Sequence, residues 1–414
     1  MPTTPPPALE PILTPAHLRL WQETDAFAAQ YIAPCVQGME AKPHRVERLA
    51  AQLMAERHWF GVTIPAQYGG MAAGHVAKTI IIHRTAVVSA AVAAILQASL
   101  IPVGAVRHWG TVEQKAQWLP QAASGQTLFS IAVTEPEMGG HIGGMETIAE
   151  RQGDWWVLNG KKAHIGNSHL AGLHVVVART APPGVGASQA LTAFLVEDDR
   201  KGLTKERHRP GLGLHGFTFG RLRLDGVRIP AANVLGPIGK GLDIAQSISI
   251  TYGRPNLTAV SLGIHEALVN TTAQWLSSRR RYDGYLSDLP VPRDRLGRMQ
   301  ARLQIAESSA YGAVNLFDRG KRCDAQLIGA KHSGHELAAD SARDAMESHG
   351  AHALDGDYAL QRLFRDIQCT YSPAGTAEFQ AIQLAKTALD EPTVEWSEHF
   401  AAEAAWARPD PTPA

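Results

Sequence analysis

The chain has 414 residues, 45% of them hydrophobic and 19% charged, and its 39 basic side chains are balanced by 39 acidic ones. That length buries a sizeable core and folds as two or three packed domains. The lack of net charge excludes an electrostatic draw toward nucleic acid or an anionic membrane, leaving small molecules or protein as expected partners.

The opening MPTTPPPALEPILTP is proline-rich and lacks the basic and apolar segments of a secretion signal. From His17 to Gly125 apolar residues recur at helical spacing, as in HRVERLAAQLMAERHWF, so residues 1–126 are read as a helical domain. Within it, Ala86 to Val106 carries no charge and has the length of a membrane span, but its Ala and Ser content, Gln97 and Pro102 predict a buried helix. Residues 127–238 switch to short alternating segments, including DWWVLNGKKAHIGN with an Asn-Gly hairpin signal, which predict a β-barrel or sandwich. Residues 239–395 return to helical spacing in four long segments (241–277, 293–319, 324–349 and 357–389) and predict a four-helix bundle. Residues 396–414, ending ARPDPTPA, are expected to be a disordered tail. The fold class is α+β. Three scattered cysteines, Cys35, Cys323 and Cys369, form no Cys-x-x-Cys pair, which points to a reducing cytoplasm.

Single motifs carry little. GLGLHG at 211–216 matches a dinucleotide fingerprint, but a strand-like segment follows it instead of a helix, so it reads as a loop between strands. The pairs His332/His335 and His349/His352 lack further ligands at zinc spacing and read as polar-contact histidines, so no metal is expected.

Four segments in order say more: FSIAVTEPEMGG (129–140), VLNGKKAHIGNSHLAGLHVVVART (157–180), GLGLHGFTFGRLRLDGVRIPAANVLGPIGKG (211–241) and RLFRDIQCTYSPAGTAEF (362–379). Together they resemble the acyl-CoA dehydrogenase family. The resemblance implies FAD held between the β domain and the C-terminal helices, an acyl thioester on CoA or a carrier protein as substrate, and a homodimer or homotetramer, or a hetero-oligomer with a homologue. It further implies that Val133, Thr134, Gly139, Gly140, Gly166, Thr376 and Glu378 lie along the cofactor, that Arg279 reaches a pyrophosphate across a subunit interface, and that Arg254 and Gly375 line the acyl site.

Against that pattern the chain departs where chemistry is expected. Gly139-Gly140-His141 replaces Gly-Ser-Asp, and His164-Ile165-Gly166-Asn167 replaces an aromatic-Ile-Thr/Ser-Asn run, so Ala374 and Gly166 together imply a wider site. The family's usual glutamate position holds Ala374, and the minority position holds Gly253. General-base catalysis contributes roughly 10²–10⁴-fold, so a base must be relocated or unnecessary. His164 and Tyr252 are the neighbouring candidates, with packing as the alternative for each. Three functions stay open: a flavin-dependent dehydrogenase of an acyl thioester, a flavin-dependent monooxygenase on this fold, and a non-redox enzyme or partner subunit.

Overall fold

The computed structural model describes residues 4–182 and 184–401. Six helices come first: α1 (Pro15–Phe27), α2 (Ala33–Ala41), α3 (Leu49–Glu56), α4 (Gly74–Val88), α5 (Ala90–Trp109) and α6 (Val112–Ala123). Thr14 and Thr111 start α1 and α6 as capping boxes, with side chain and backbone satisfying each other's free donors. The extended Ser89 divides α4 from α5, and its hydroxyl accepts from Val92 N. The uncharged stretch, expected as one buried helix, is therefore the end of α4 and most of α5; α5 has the length and apolarity of a membrane span but is almost wholly buried in protein. Small residues there let other elements close in: a Cβ on Gly104 would lie 2.6 Å from the Tyr252 ring.

The middle segment contains β1 (Phe129–Ala132), β2 (Ile148–Gln152), β3 (Trp155–Gly166), β4 (Leu173–Arg179), the short α7 (Ala187–Ala190), β5 (Leu191–Glu197), β6 (Leu203–Lys205), β7 (Phe219–Pro230) and β8 (Val234–Leu235). They form one sheet in the order β6-β7-β3-β2-β4-β5-β8, with β1 pairing parallel to β4. The expected Asn-Gly hairpin is not at 159–160. That pair lies inside β3, where Gly160 takes φ +153° at a register shift against β7, and a Cβ there would meet Thr147 Oγ1 at 2.4 Å. The turn between β2 and β3 falls instead at Gly153, whose φ of +62° suits a tight hairpin. The GLGLHG segment is a loop between β6 and β7, docked on the last helices: Asp366 Oδ1 accepts from Leu214 N at 2.7 Å, and Arg365 donates to Leu212 O.

The C-terminal part begins with α8 (Gly241–Ile248), continues through a single π turn (Ser249–Gly253) into α9 (Arg254–Ser278), and crosses a two-strand ribbon, β9 (Arg280–Arg281) and β10 (Gly284–Tyr285). Two long helices follow, α10 (Pro290–Asp318) and α11 (Asp324–His349). The expected fourth helix is broken into α12 (Ala359–Gln368) and α13 (Ala377–Ala388), because Pro373, left-handed Ala374 (φ +58°) and Gly375 (φ +99°) cannot continue a helix. Residues 396–401, expected as part of a disordered tail, are ordered. A short α14 (Trp396–His399) buries Trp396 and Phe400, with Phe400 stacked on His108 at 4.0 Å, while residues 402–414 lie outside the described residues.

Where α1, α4, α9 and α10 meet, buried Arg84 pairs with Asp25 and Glu266, both at 2.6 Å. Nearby Glu307 is also buried, and burial, reinforced by the charge of Glu266, pushes its carboxyl up to about 7. A folded-state value raised above the unfolded one gives stability at low pH that is lost as pH rises through about 7. Glu307→Gln is therefore expected to stabilise the protein by roughly 2–3 kcal/mol at pH 8 and by under about 1 kcal/mol at pH 5, read from thermal melts at the two pH values.

Candidate active site

Three elements converge beside α9. The π turn inserts one extra residue before Arg254, which re-aims the side chains around it. Gly253 consequently faces the loop between α12 and α13: a Cβ built on it would lie 3.4 Å from Ala374 Cβ and 3.8 Å from Ile101 Cδ1. The two glutamate positions that sequence treats as separate are one place in space, and both are empty of a carboxylate. Next to them Arg254 is only 4% exposed, and its Nε and Nη1 have no hydrogen-bond partner. Burial draws its pKa down to about 10, with distant Asp324 opposing.

The loop carrying Ala374 is held from beneath by Lys331 of α11. Its buried Nζ donates to Tyr371 O at 2.7 Å and Gly375 O at 3.1 Å, while Gln380 Nε2 also donates to Gly375 O. Desolvation, and next the Arg254 charge, lowers Lys331 to about 8. Thr370 anchors the loop's other end through Ser261 Oγ (3.0 Å) and His335 Nδ1 (2.9 Å).

On the sheet side, the loop after β1 is closed at its base by Glu135, which accepts from Glu146 N (2.7 Å) and Thr147 N (2.9 Å) and pairs with buried Lys162 at 2.8 Å. Above that closure Gly139 and Gly140 are exposed, with nothing within 4 Å of where a Cβ would sit. Val133 and Thr134 are half-buried, and Thr134 O accepts from Ala163 N. His164 is exposed at a second register shift in β3, in left-handed backbone, with its ring 5.2 Å from Phe219.

The expected residues thus fare differently. Thr376 caps α13, its hydroxyl accepting from Phe379 N, and Glu378 accepts from Tyr371 Oη at 3.2 Å. Gly375 borders Arg254, a Cβ on it falling 3.9 Å from Nη2. Tyr252 is no base: the π turn sends its ring into the core, against Lys78 (4.6 Å) and His75 (4.8 Å), with its hydroxyl 3.3 Å from His108 Nε2. Gly166 does not widen the site, because the Phe217 ring occupies that space, 3.0 Å from a Cβ there. Arg279 is engaged within its own chain, over the Trp275 ring and 3.3 Å from His352 Nε2. Glu135, Lys162 and Lys331 went unnoticed in the sequence, since their partners are fixed only by strand register and by a helix 40 residues before the loop.

Family models match along the chain in order: the acyl-CoA dehydrogenase N-terminal domain over residues 14–126, the middle domain over 130–227 and the C-terminal domain over 239–389. An acyl-CoA dehydrogenase of Bacillus subtilis is 31% identical over 364 residues, covering 88% of this chain and 95% of the relative. Butyryl-CoA dehydrogenase of Megasphaera elsdenii superposes with a TM-score of 0.88 at 25% identity, covering 91% of this chain and 99% of its own. The prolyl acyl carrier protein oxidase AnaB superposes with a TM-score of 0.85 at 25% identity, with 91% and 99% covered. With matching domains, near-complete coverage and the same order of helices, sheet and helices, this chain belongs to the acyl-CoA dehydrogenase family, a family of FAD-dependent enzymes.

Proposed function

We propose that the protein is an FAD-linked oxidoreductase of an acyl thioester, carried on CoA or a carrier protein, that works without a protein carboxylate at the family's base position. The observation that carries this is the convergence of Gly253 and Ala374 on one carboxylate-free spot beside Arg254. The cytoplasm and a homo-oligomer complete the reading, on the free cysteines and the family's habit.

The residues present fit the cofactor along the sheet. Gly139 and Gly140 are exposed and leave open space where backbone amides can meet a phosphate. The fit is poorer at Gly166, which offers no hydroxyl and is crowded by Phe217. When bound, the flavin supplies the hydride acceptor.

The chain's own residues do the rest. Arg254 places a positive charge at the floor of the acyl site, where it favours negative charge on a bound thioester. Lys331 holds the 371–375 loop, so Ala374 and Gly375 present a fixed wall. No carboxylate takes the α-proton there, so the proton leaves to solvent, from an α-carbon that the substrate itself acidifies. His164 stays exposed near the end of β3, against Phe219. The relatives named above are dehydrogenases and an oxidase, which gives the monooxygenase and non-redox readings no support.

The test is the absorption spectrum of the purified protein with and without added FAD, followed by anaerobic titration with acyl-CoAs. A flavin spectrum that bleaches with substrate is expected. Protein that stays colourless after FAD addition would refute the proposal.

A further inference from the structure

Arg254 and Lys331 are two buried cations on one side of the 371–375 loop, and neither makes an ion pair with a carboxylate among the described residues. Lys331 is at least satisfied by the carbonyls of Tyr371 and Gly375. Asp324, the carboxylate whose charge Arg254 feels, has both oxygens committed to Trp396 N and Ser397 N at 2.8 Å. Arg254 keeps two buried N–H nitrogens with nothing to accept from them.

A desolvated, unpaired guanidinium is costly, by several kcal/mol in order of magnitude, until an anion joins it. Its planar fork matches a carboxylate best. The protein leaves the adjoining place to small groups, Gly253 and Ala374, where either backbone position could have carried an acidic side chain. The residues beside the orphaned cation are therefore small and carry no acid. A neutral acyl chain reaching this place would leave the charge unmatched.

We infer that the ligand supplies the missing anion: the acyl group itself carries a carboxylate that pairs with Arg254, so the substrate class is a short dicarboxylic acyl thioester. This rests on the acyl-thioester reading above. The place proposed above for the flavin phosphates, Gly139 and Gly140, lies in the loop after β1 and not on α9 or the 371–375 loop. The pairing also explains why no protein carboxylate occupies the spot: a glutamate at either position would neutralise Arg254 and repel a second anion.

Succinyl-CoA and butyryl-CoA make a matched pair, equal in chain length and differing in carboxylate against methyl. Calorimetric titration of each into the FAD-loaded protein, its flavin first reduced with dithionite so that it cannot accept a hydride, reads binding without turnover. Charge-assisted hydrogen bonds of the expected kind are worth roughly 10- to 100-fold in affinity, so succinyl-CoA is expected to bind tighter by that factor. Arg254→Gln is expected to erase the difference, which also removes any general effect of the extra ligand charge. If that variant does not fold, Ala374→Glu tests the same point by giving Arg254 an internal partner: the succinyl preference disappears while butyryl-CoA still binds. Equal affinities in the wild-type protein, or a preference for butyryl-CoA, overturn the inference and leave the acyl-thioester reading standing. Binding of neither thioester overturns both.

Discussion

Replacing Ala374 by glutamate is expected to raise the rate of anaerobic flavin reduction by butyryl-CoA by roughly 10²–10⁴-fold, the usual worth of a positioned general base. The backbone is already prepared for it. Ala374 sits at φ +58° and so already bears the Cβ penalty of left-handed backbone, and a longer side chain adds none. Space is available because Gly253, directly opposite, has no side chain. The unpaired guanidinium of Arg254 is next to the loop and would hold the new carboxylate in its ionised form. Stopped-flow absorbance of flavin bleaching reads the effect. A variant that folds, retains FAD and shows no acceleration would mean that the acyl α-carbon does not lie against this spot.

Gly253→Glu is a second route to the same place. Its backbone is ordinary helical (φ −59°, ψ −51°), and the contacts of its Cβ at 3.4 and 3.8 Å are normal van der Waals distances. The two substitutions are not additive: carboxylates rooted that close cannot both stay ionised, so the double variant is expected to gain no more than the better single one.

Much of the architecture was legible because hydrophobic period is a local property. The change from helical spacing to alternation and back is visible in windows such as HRVERLAAQLMAERHWF and GRLRLDGVRIP, and it gave helices, sheet and helices in order. The site was less legible, since its decisive features depend on long-range placement. The π turn at 249–253 rotates Tyr252 into the core and Gly253 toward Ala374, and no residue type announces that extra turn. Phe217 fills the room at Gly166 from the far side of β7's entry loop, over 50 positions away. Asn159-Gly160 carries a hairpin signature, but continuous pairing of β3 with β7 outweighs it and turns the glycine into a register shift. The missing glutamates were readable letter by letter, whereas their being one location was not.

Removing the carboxylate of Glu135 is expected to cost about 3–5 kcal/mol of stability, the penalty for leaving a buried charge without its partner. Lys162 is fully buried, and its charge is held by Glu135 at 2.8 Å and by Val133 O at 3.0 Å. Even so, desolvation keeps its pKa down at about 8. In Glu135→Ala the ammonium loses its counter-charge, and the amides of Glu146 and Thr147 lose their acceptor. The lysine then shifts further toward its neutral form. Because its folded-state value lies below the unfolded one, the unfolded chain binds more protons, so stability rises with pH. Moving from pH 7 to pH 9 is thus expected to recover part of the loss in the variant. The double replacement Glu135→Ala with Lys162→Met should be less destabilised than Glu135→Ala alone, since no unpaired charge remains. Thermal melts at both pH values check these expectations. The same variants test the link to function, because Glu135 ties the two ends of the loop that carries Thr134, Gly139 and Gly140. A loosened loop must be ordered again when the flavin binds, and that ordering costs entropy. FAD retention on gel filtration should fall in Glu135→Ala at temperatures where the variant is still folded; unchanged retention would show that Glu135 supports the sheet alone.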